Sequence, residues 1–389
     1  MNELDATVDT LRRLIAYPTV SSESNLALIA DVAEVLEDLG ATVDVFHDPS
    51  GAKANLFATL GPDRAGGLVL SGHTDVVPVT DQDWSSDPFQ MRVEGDLLYG
   101  RGTCDMKGFI AAALVMADQF AAMDLQRPIH FAFTHDEEVG CIGARALVPE
   151  LQRRGVSPAM ALIGEPTEMR VIEGHKGCCE YTVRFEGHEG HGSNPDAGVN
   201  AVEYAARYVA RLLALREDLI ARAPPDSRFQ PPWTTVNIGR ISGGSVHNVI
   251  AGKAEVDWEM RPVQNADADW VKDVMSGYVR DALLPSMQAV APSARIETEV
   301  IGEVVGLIPA DVNQTRDIVM ALTGSNGADL VPFGTEAGLF QEMGLDVIVC
   351  GPGSIDQAHK PDEFISLQQL QSCLTLLEAL GHQLTEPPV

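Results

Sequence analysis

Histidines and acids follow short apolar runs at several separate points along the chain. These residues are His73 with Asp75, Asp105, Glu137 with Glu138, Glu165, and His359. Short apolar runs are typical of buried parallel strands, and open α/β sheets bind ligands at the carboxyl ends of their strands. We therefore expect one cleft to collect two imidazoles and several carboxylates, which is the ligand chemistry of a two-metal hydrolytic centre.

His73 and Asp75 are two residues apart, so in an extended chain their side chains point the same way. A carboxylate beside a histidine ligand can accept the other ring N–H and fix the tautomer. This spacing predicts that His73 binds metal and that Asp75 orients it. The alternative is a capped strand end with a satisfied histidine.

Asp105 lies in a glycine-rich turn before a predicted helix over 109–120. It is interpreted either as a helix cap or as a carboxylate shared by two metals, which need a common oxygen ligand when they lie about 3.5–4 Å apart.

Glu137 and Glu138 are adjacent acids that repel each other unless a cation or a proton intervenes. One of them is predicted to bind metal and the other to act as general base. The alternative is a solvated acidic turn. Glu165 has a similar alternative as a turn residue, and His359 could be a solvated loop histidine.

Length and composition limit the class of protein. A chain of 389 residues with 45% hydrophobic and 21% charged residues predicts a globular protein of two domains. No signal peptide and no run of 18 apolar residues is visible, so a cytoplasmic protein without membrane contact is expected. A net charge of −29 argues against nucleic acid as a partner. The six cysteines form no C-x-x-C pair, which indicates reduced, buried thiols.

Strand and helix patterns alternate to about residue 175, which predicts an α/β domain with a mostly parallel sheet. The next segment is predicted to be β-α-β-β-α-β, the split βαβ or ferredoxin-like arrangement. Its helices are expected near 202–213 and 266–284. The predicted domains are 1–177 and 303–389, forming the α/β catalytic domain, and 178–302, forming an inserted α+β lid or dimerisation domain.

Several segments together resemble the M20 metallopeptidase and deacylase family over nearly the full chain, closest to its acetylornithine deacetylase branch. The segments lie at 71–78, 84–89, 99–108, 136–138, 163–167, 190–195 and 351–359. The resemblance implies that His73, Asp105 and Glu165 bind one zinc, and that Asp105, Glu138 and His359 bind the other. It also implies Glu137 as general base and a cis peptide bond after Asp105.

The same resemblance implies roles for residues of the inserted domain. His191 would polarise the scissile carbonyl, from the same chain or from the partner in a homodimer formed through that domain. Arg261 and Asn248 would hold the substrate carboxylate, and an arginine fork suits that task. Without the resemblance, Arg261 could equally form a surface salt bridge.

The expected activity is hydrolysis of N2-acetyl-L-ornithine to ornithine and acetate in arginine biosynthesis, with two divalent ions, zinc first and Co²⁺ or Mn²⁺ as alternatives. Glu336 is the candidate partner for the cationic substrate side chain, because Thr335-Glu336-Ala337 resembles an element of that branch. The alternative is that Glu336 caps a helix beginning at Ala337. Two other functions remain open: a related N-acyl-amino-acid deacylase, similar to succinyl-diaminopimelate desuccinylase or aminoacylase, and a non-catalytic small-molecule binding protein.

Overall fold

The computed structural model describes residues 2–386. Its α-helices are α1 Glu3–Ile15, α2 Leu26–Asp38, α3 Lys107–Ala122, α4 Ile142–Arg153, α5 Ala201–Ala221, α6 Asn265–Tyr278, α7 Leu284–Gln288, α8 Gln314–Thr323, α9 Ala337–Glu342 and α10 Leu367–Gln383. Its strands are β1 Thr42–His47, β2 Ala54–Leu60, β3 Leu68–His73, β4 Arg92–Glu94, β5 Leu97–Tyr99, β6 Ile129–Thr134, β7 Met160–Pro166, β8 Ile172–His175, β9 Cys178–Glu186, β10 Gly190–His191, β11 Thr235–Gly243, β12 Val249–Ile250, β13 Lys253–Arg261, β14 Arg295–Val304, β15 Asp329–Val331, β16 Asp346–Gly351 and β17 Phe364–Ser366.

The described chain divides into two compact units. The first contains residues 2–174, 309–331 and 335–386, and the second contains residues 175–308 and 332–334. The domain bounds given above, 1–177, 178–302 and 303–389, stay a prediction about how the chain folds.

The first unit is built on an eight-stranded sheet in the order β1-β2-β6-β3-β7-β16-β8-β15. The four central strands are parallel, and antiparallel strands flank them. Every residue of β3, β6 and β7 is buried, which is why these strands are apolar runs without alternation. The predicted α/β fold is confirmed, and the carboxyl ends of its central strands carry the candidate site.

The helix α3 packs within the core of the first unit. Eleven of its 16 residues are buried, and it contacts α1, α10 and β3. It begins directly after the turn that contains Asp105. The predicted helix over 109–120 is therefore confirmed, with its first turn extended to Lys107. A small antiparallel sheet in the order β17-β5-β4 had no counterpart in the sequence prediction.

The second unit has the predicted β-α-β-β-α-β order. Its sheet runs β11-β13-β9-β14 with antiparallel pairs throughout, and the helices α5 and α6 pack with it around a separate core. This is the ferredoxin-like arrangement. The helix predicted over 266–284 is present as α6, continued by a π-helical turn at Val279–Leu283 and then α7.

No helix within residues 2–386 has the length and apolar character needed to cross a membrane. The six cysteines form no disulfide; five are buried and Cys178 is half-buried. The peptide bond between Asp105 and Met106 is cis, as expected from the resemblance.

Candidate metal centre

His73 is the last residue of β3 and is buried, with about 1% of its surface exposed. Its Nδ1 lies 2.9 Å from the backbone carbonyl of Asp75, whereas the nearer carboxylate oxygen of Asp75 is 3.6 Å away. The carbonyl therefore accepts the Nδ1–H and leaves Nε2 as the ligand atom. This differs from the expected side-chain contact, because Asp75 has other partners described below.

The Nε2 atom of His73 faces two carboxylates. It lies 3.0 Å from Asp105 Oδ1 and 3.8 Å from Glu165 Oε1. Glu165 lies near the end of β7, the parallel neighbour of β3. The sheet thus brings His73, Asp105 and Glu165 together, as the first predicted ligand set requires.

The second oxygen of Asp105 faces the other imidazole. His359 Nε2 lies 3.2 Å from Asp105 Oδ2 and 3.1 Å from Glu138 Oε2. Asp105 therefore directs one oxygen to each histidine, which is the placement expected of a shared carboxylate. The ligand atoms of His73, Asp105 and Glu138 also lie within 4.8 Å of one another, and so do those of His73, Glu137 and Glu165.

Burial and neighbouring charges shift the pKa values of several residues in this cluster. Burial, together with the charges of Glu138, Asp75 and Asp105, raises the pKa of Glu137 to about 8. Burial likewise raises the pKa of Glu165 well above its ordinary value. Hydrogen bonds to Asp105 and Glu138 raise the pKa of His359 to about 10. Several buried carboxylates with a deficit of positive charge are a donor set that fits divalent cations.

Asp75 holds the turn that carries Glu137 and Glu138. One oxygen accepts the backbone N–H of Glu137 at 3.0 Å, and the other accepts that of Glu138 at 3.3 Å and the hydroxyl of Ser21 at 2.8 Å. Asp75 is buried. Its carboxylate therefore sets the backbone position of the predicted base and of a predicted ligand.

Glu336 lies beneath the strand ends and is about 1% exposed. Its two oxygens accept hydrogen bonds from the hydroxyls of Ser71 on β3, at 2.5 Å, and Thr134 on β6, at 2.8 Å. It makes no capping hydrogen bond to α9; the Thr335 hydroxyl accepts the N–H of Ala337 instead. These contacts favour a role in joining β3 and β6 over either role weighed from the sequence.

Three predicted site residues belong to the second unit. His191 on β10 is exposed, and its Nδ1 accepts the backbone N–H of Ser193 at 3.2 Å, which leaves Nε2 as the donor. Asn248 lies beside it, since its carbonyl accepts the N–H of Gly192. The guanidinium of Arg261 is paired with Glu259, with Nη2 and Oε2 2.8 Å apart.

Sequence reasoning did not find the buried residues that support the ligands. Glu363 and Arg101 form a fully buried ion pair at 2.7 Å, and Lys107 donates to the carbonyls of Leu14 and Tyr17. Arg101 and Lys107 lie in the glycine-rich segment 99–108, but nothing local in the sequence identifies their partners.

Comparison with known proteins gives concordant matches. Residues 69–383 match the model of peptidase family M20/M25/M40. An acetylornithine deacetylase from Shigella sonnei is 34% identical over 388 residues, covering 98% of each chain.

Two solved structures share the fold. An M20 family metallo-carboxypeptidase from Sulfolobus solfataricus has a TM-score of 0.76 at 16% identity and covers 99% of this chain and 100% of its own. The YXEP protein of Bacillus subtilis, a dinuclear metal binding peptidase from the M20 family, has a TM-score of 0.64 at 16% identity, with 97% of each chain covered.

Proposed function

Because the chain belongs to peptidase family M20/M25/M40 and is therefore a hydrolase, we propose that it is a metal-dependent amidohydrolase that converts N2-acetyl-L-ornithine to L-ornithine and acetate. The observation that carries the proposal is the cluster of two imidazoles and shared carboxylates with Glu137 beside it. The acetylornithine deacetylase of Shigella sonnei, which matches over 98% of both chains, supports the choice of substrate.

The residues present fit two divalent cations, with zinc as the expected metal and Co²⁺ or Mn²⁺ as alternatives. His73, Asp105 and Glu165 would hold one, and Asp105, Glu138 and His359 the other. When bound, such ions lower the pKa of a coordinated water and polarise a carbonyl oxygen.

The protein's own groups supply the proton transfers. Glu137 takes a proton from the attacking water and delivers it to the leaving amine. Asp75 acts through the backbone of Glu137 and Glu138 and keeps the base in place. His191 is proposed to donate its Nε2–H to the developing oxyanion, as a residue of the same chain or of a partner subunit.

Substrate binding is assigned to Arg261 and Asn248, which are proposed to hold the α-carboxylate. For Arg261 this requires exchange of its present partner, Glu259, for the substrate. Glu336 was also a candidate for contact with the substrate, but both of its oxygens are engaged within the first unit. We therefore propose that it supports the metal centre instead.

Localisation and assembly are part of the proposal as well. We propose a cytoplasmic homodimer that forms through the inserted domain, takes part in arginine biosynthesis and binds neither nucleic acid nor membrane. The net charge of −29 is consistent with the absence of nucleic acid.

The experiment that tests the function is a panel of N-acyl amino acids, with kcat/KM measured for each on metal-loaded protein. Acetylornithine should give the highest value. A higher value for succinyl-diaminopimelate or for a neutral acetyl amino acid would assign the chain to a related deacylase. No hydrolysis of any member, with two metals bound, would support the non-catalytic alternative.

A further inference from the structure

We infer that Glu363, Arg101 and Gln82 form a positioning network that fixes the backbone of two predicted metal ligands, Asp105 and His359. We call these three residues the Glu363 network. The inference rests on the proposed metal centre and concerns residues that touch neither substrate nor metal.

Glu363 holds the loop that presents Asp105. Its two carboxylate oxygens accept the backbone N–H groups of Gly102 at 3.1 Å, Cys104 at 2.9 Å and Asp105 at 3.1 Å. Its own carbonyl accepts the N–H of Gly100 at 2.9 Å. One side chain therefore accepts hydrogen bonds from three backbone N–H groups in the turn between β5 and α3.

Arg101 supplies the charge that lets Glu363 remain buried. Its Nη1 lies 2.7 Å from Glu363 Oε2, and both side chains are at most about 1% exposed. A buried carboxylate is costly unless it is paired and fully hydrogen-bonded. Glu363 meets that condition only with this arginine and this loop conformation, so the pair selects one arrangement of residues 100–105.

The network also reaches the second histidine. Arg101 Nη2 donates to Gln82 Oε1 at 2.6 Å, and Gln82 Nε2 donates to the carbonyl of His359 at 2.9 Å. Arg101 Nη1 lies 3.3 Å from the carbonyl of Lys360. These contacts surround a residue with a left-handed backbone, since His359 has φ of 62°. That conformation is uncommon for residues other than glycine and persists where surrounding contacts determine it.

The consequence is a defined separation between the two ligands. Asp105 is fixed through Glu363, His359 is fixed through Gln82, and Arg101 joins the two. Groups that orient ligands commonly change metal affinity by about 10–100-fold when they are altered. The network should therefore affect metal binding itself, independently of which substrate is used.

The test compares metal binding by the full-length protein and its variants. Metal-free protein is titrated with Zn²⁺ against a chromophoric chelator, and the ligand-field spectrum is recorded with Co²⁺. Glu363→Gln replaces one acceptor with an NH₂ group that faces N–H donors. It should weaken binding of both ions by about 10–100-fold, because Asp105 is shared. Gln82→Ala should weaken only one ion and change only its part of the Co²⁺ spectrum.

Glu173→Gln is the matched control. Glu173 is also a buried carboxylate of the first unit and pairs with Arg316 at 2.9 Å. This variant should lower the Tm and leave both metal affinities unchanged. Arg101→Lys keeps the charge but loses the fork that reaches both Glu363 and Gln82, so it should resemble Glu363→Gln in metal binding.

Wild-type affinity for both ions in folded Glu363→Gln would overturn the inference and leave the pair with a structural role only. If Glu363→Gln does not fold, Gln82→Ala decides, and unchanged binding there overturns the inference. Wild-type protein that binds no metal would instead refute the proposed metal centre. The two failures are therefore distinct.

Discussion

Glu137 is the residue on which the proposed chemistry most directly depends. It is half-buried, it neighbours Glu138, and it accepts a contact from the Cys141 thiol at 3.3 Å. Glu137→Gln keeps the shape but removes the base, so kcat should fall by about 10²–10⁴-fold while metal content is retained. Turnover and elemental analysis of the same sample check this, and a Gln variant with near-normal kcat would be inconsistent with the assignment.

Glu336 gives a prediction that separates two roles. A charge partner for the substrate, once truncated, would cost about 2–5 kcal/mol of binding to a cationic substrate and little for a neutral one. The observed contacts with Ser71 and Thr134 predict otherwise. Glu336→Gln should reduce kcat/KM equally for acetylornithine and acetylnorleucine.

The stability of the same variant provides a further check. Since one hydroxyl loses its acceptor, the free energy of unfolding should fall by about 1–3 kcal/mol. A decrease in kcat/KM for acetylornithine alone would contradict the positioning role and would indicate that Glu336 contacts the substrate.

At the scale of elements, the approach of α3 to the sheet assembles the ligands. Gly72 and Gly164 precede His73 and Glu165, and α3 begins just after Asp105. A Cβ at Gly164 would lie 2.0 Å from the ring of Phe109 on α3. The absence of side chains at these glycines therefore allows the helix to lie close to the strand ends.

Gly164→Ala should consequently lower the free energy of unfolding by about 1–3 kcal/mol or more, through overpacking, and weaken metal binding as α3 shifts. Thermal unfolding and metal titration measure both effects. Gly327→Ala is the matched control, because a Cβ there meets open space. Equal stability of the two variants would show that α3 adapts without moving the ligands.

The repeating patterns of the chain predicted much of the fold. Continuous apolar runs indicated β3, β6 and β7, and the change to alternating residues such as Tyr181 and Val183 indicated the second sheet. The short strands β4, β5 and β17 were missed, since three residues carry no measurable period.

The candidate ligands could also be predicted from the sequence, because all except Asp105 come after apolar runs and Asp105 lies in a glycine-rich turn before a predicted helix. The residues that position these ligands could not be predicted in this way. Glu363 and Arg101 are 262 positions apart, and a lone acid with a lone arginine resembles a surface pair until the fold places both in the core. Two partners of Asp75 were missed for a related reason. They are backbone N–H groups, which every residue except proline carries, so residue type does not identify them.

At the scale of the whole molecule, the acidic cluster links metal content to stability. Binding of metal to the folded state alone stabilises it by mass action, and in metal-free protein burial raises the pKa of Glu137 and of Glu165, so that these two acids retain protons. We therefore expect metal removal with a chelator to lower the Tm.

The decrease in Tm that metal removal causes should become larger as the pH rises. Glu137 changes from an ordinary pKa of 4.5 to about 8 in the folded, metal-free protein, and His359 changes from 6.5 to about 10. Between these values the folded state binds more protons than the unfolded state, so the stability contributed by each group declines as pH rises. Asp105 has the opposite sign, because its pKa is lowered from 3.8, and it affects stability only at acid pH.

Metal-free protein should therefore lose Tm steadily from about pH 5 to about pH 9, whereas metal-loaded protein should change much less over that range. Calorimetry of both forms at several pH values measures the difference. Glu137→Gln in the metal-free form is the matched variant, because its amide does not titrate, and its Tm should decline less between about pH 5 and pH 8. A Tm that rises with pH in the metal-free protein would show that the folded cluster does not hold these protons and would remove the electrostatic argument for cation binding.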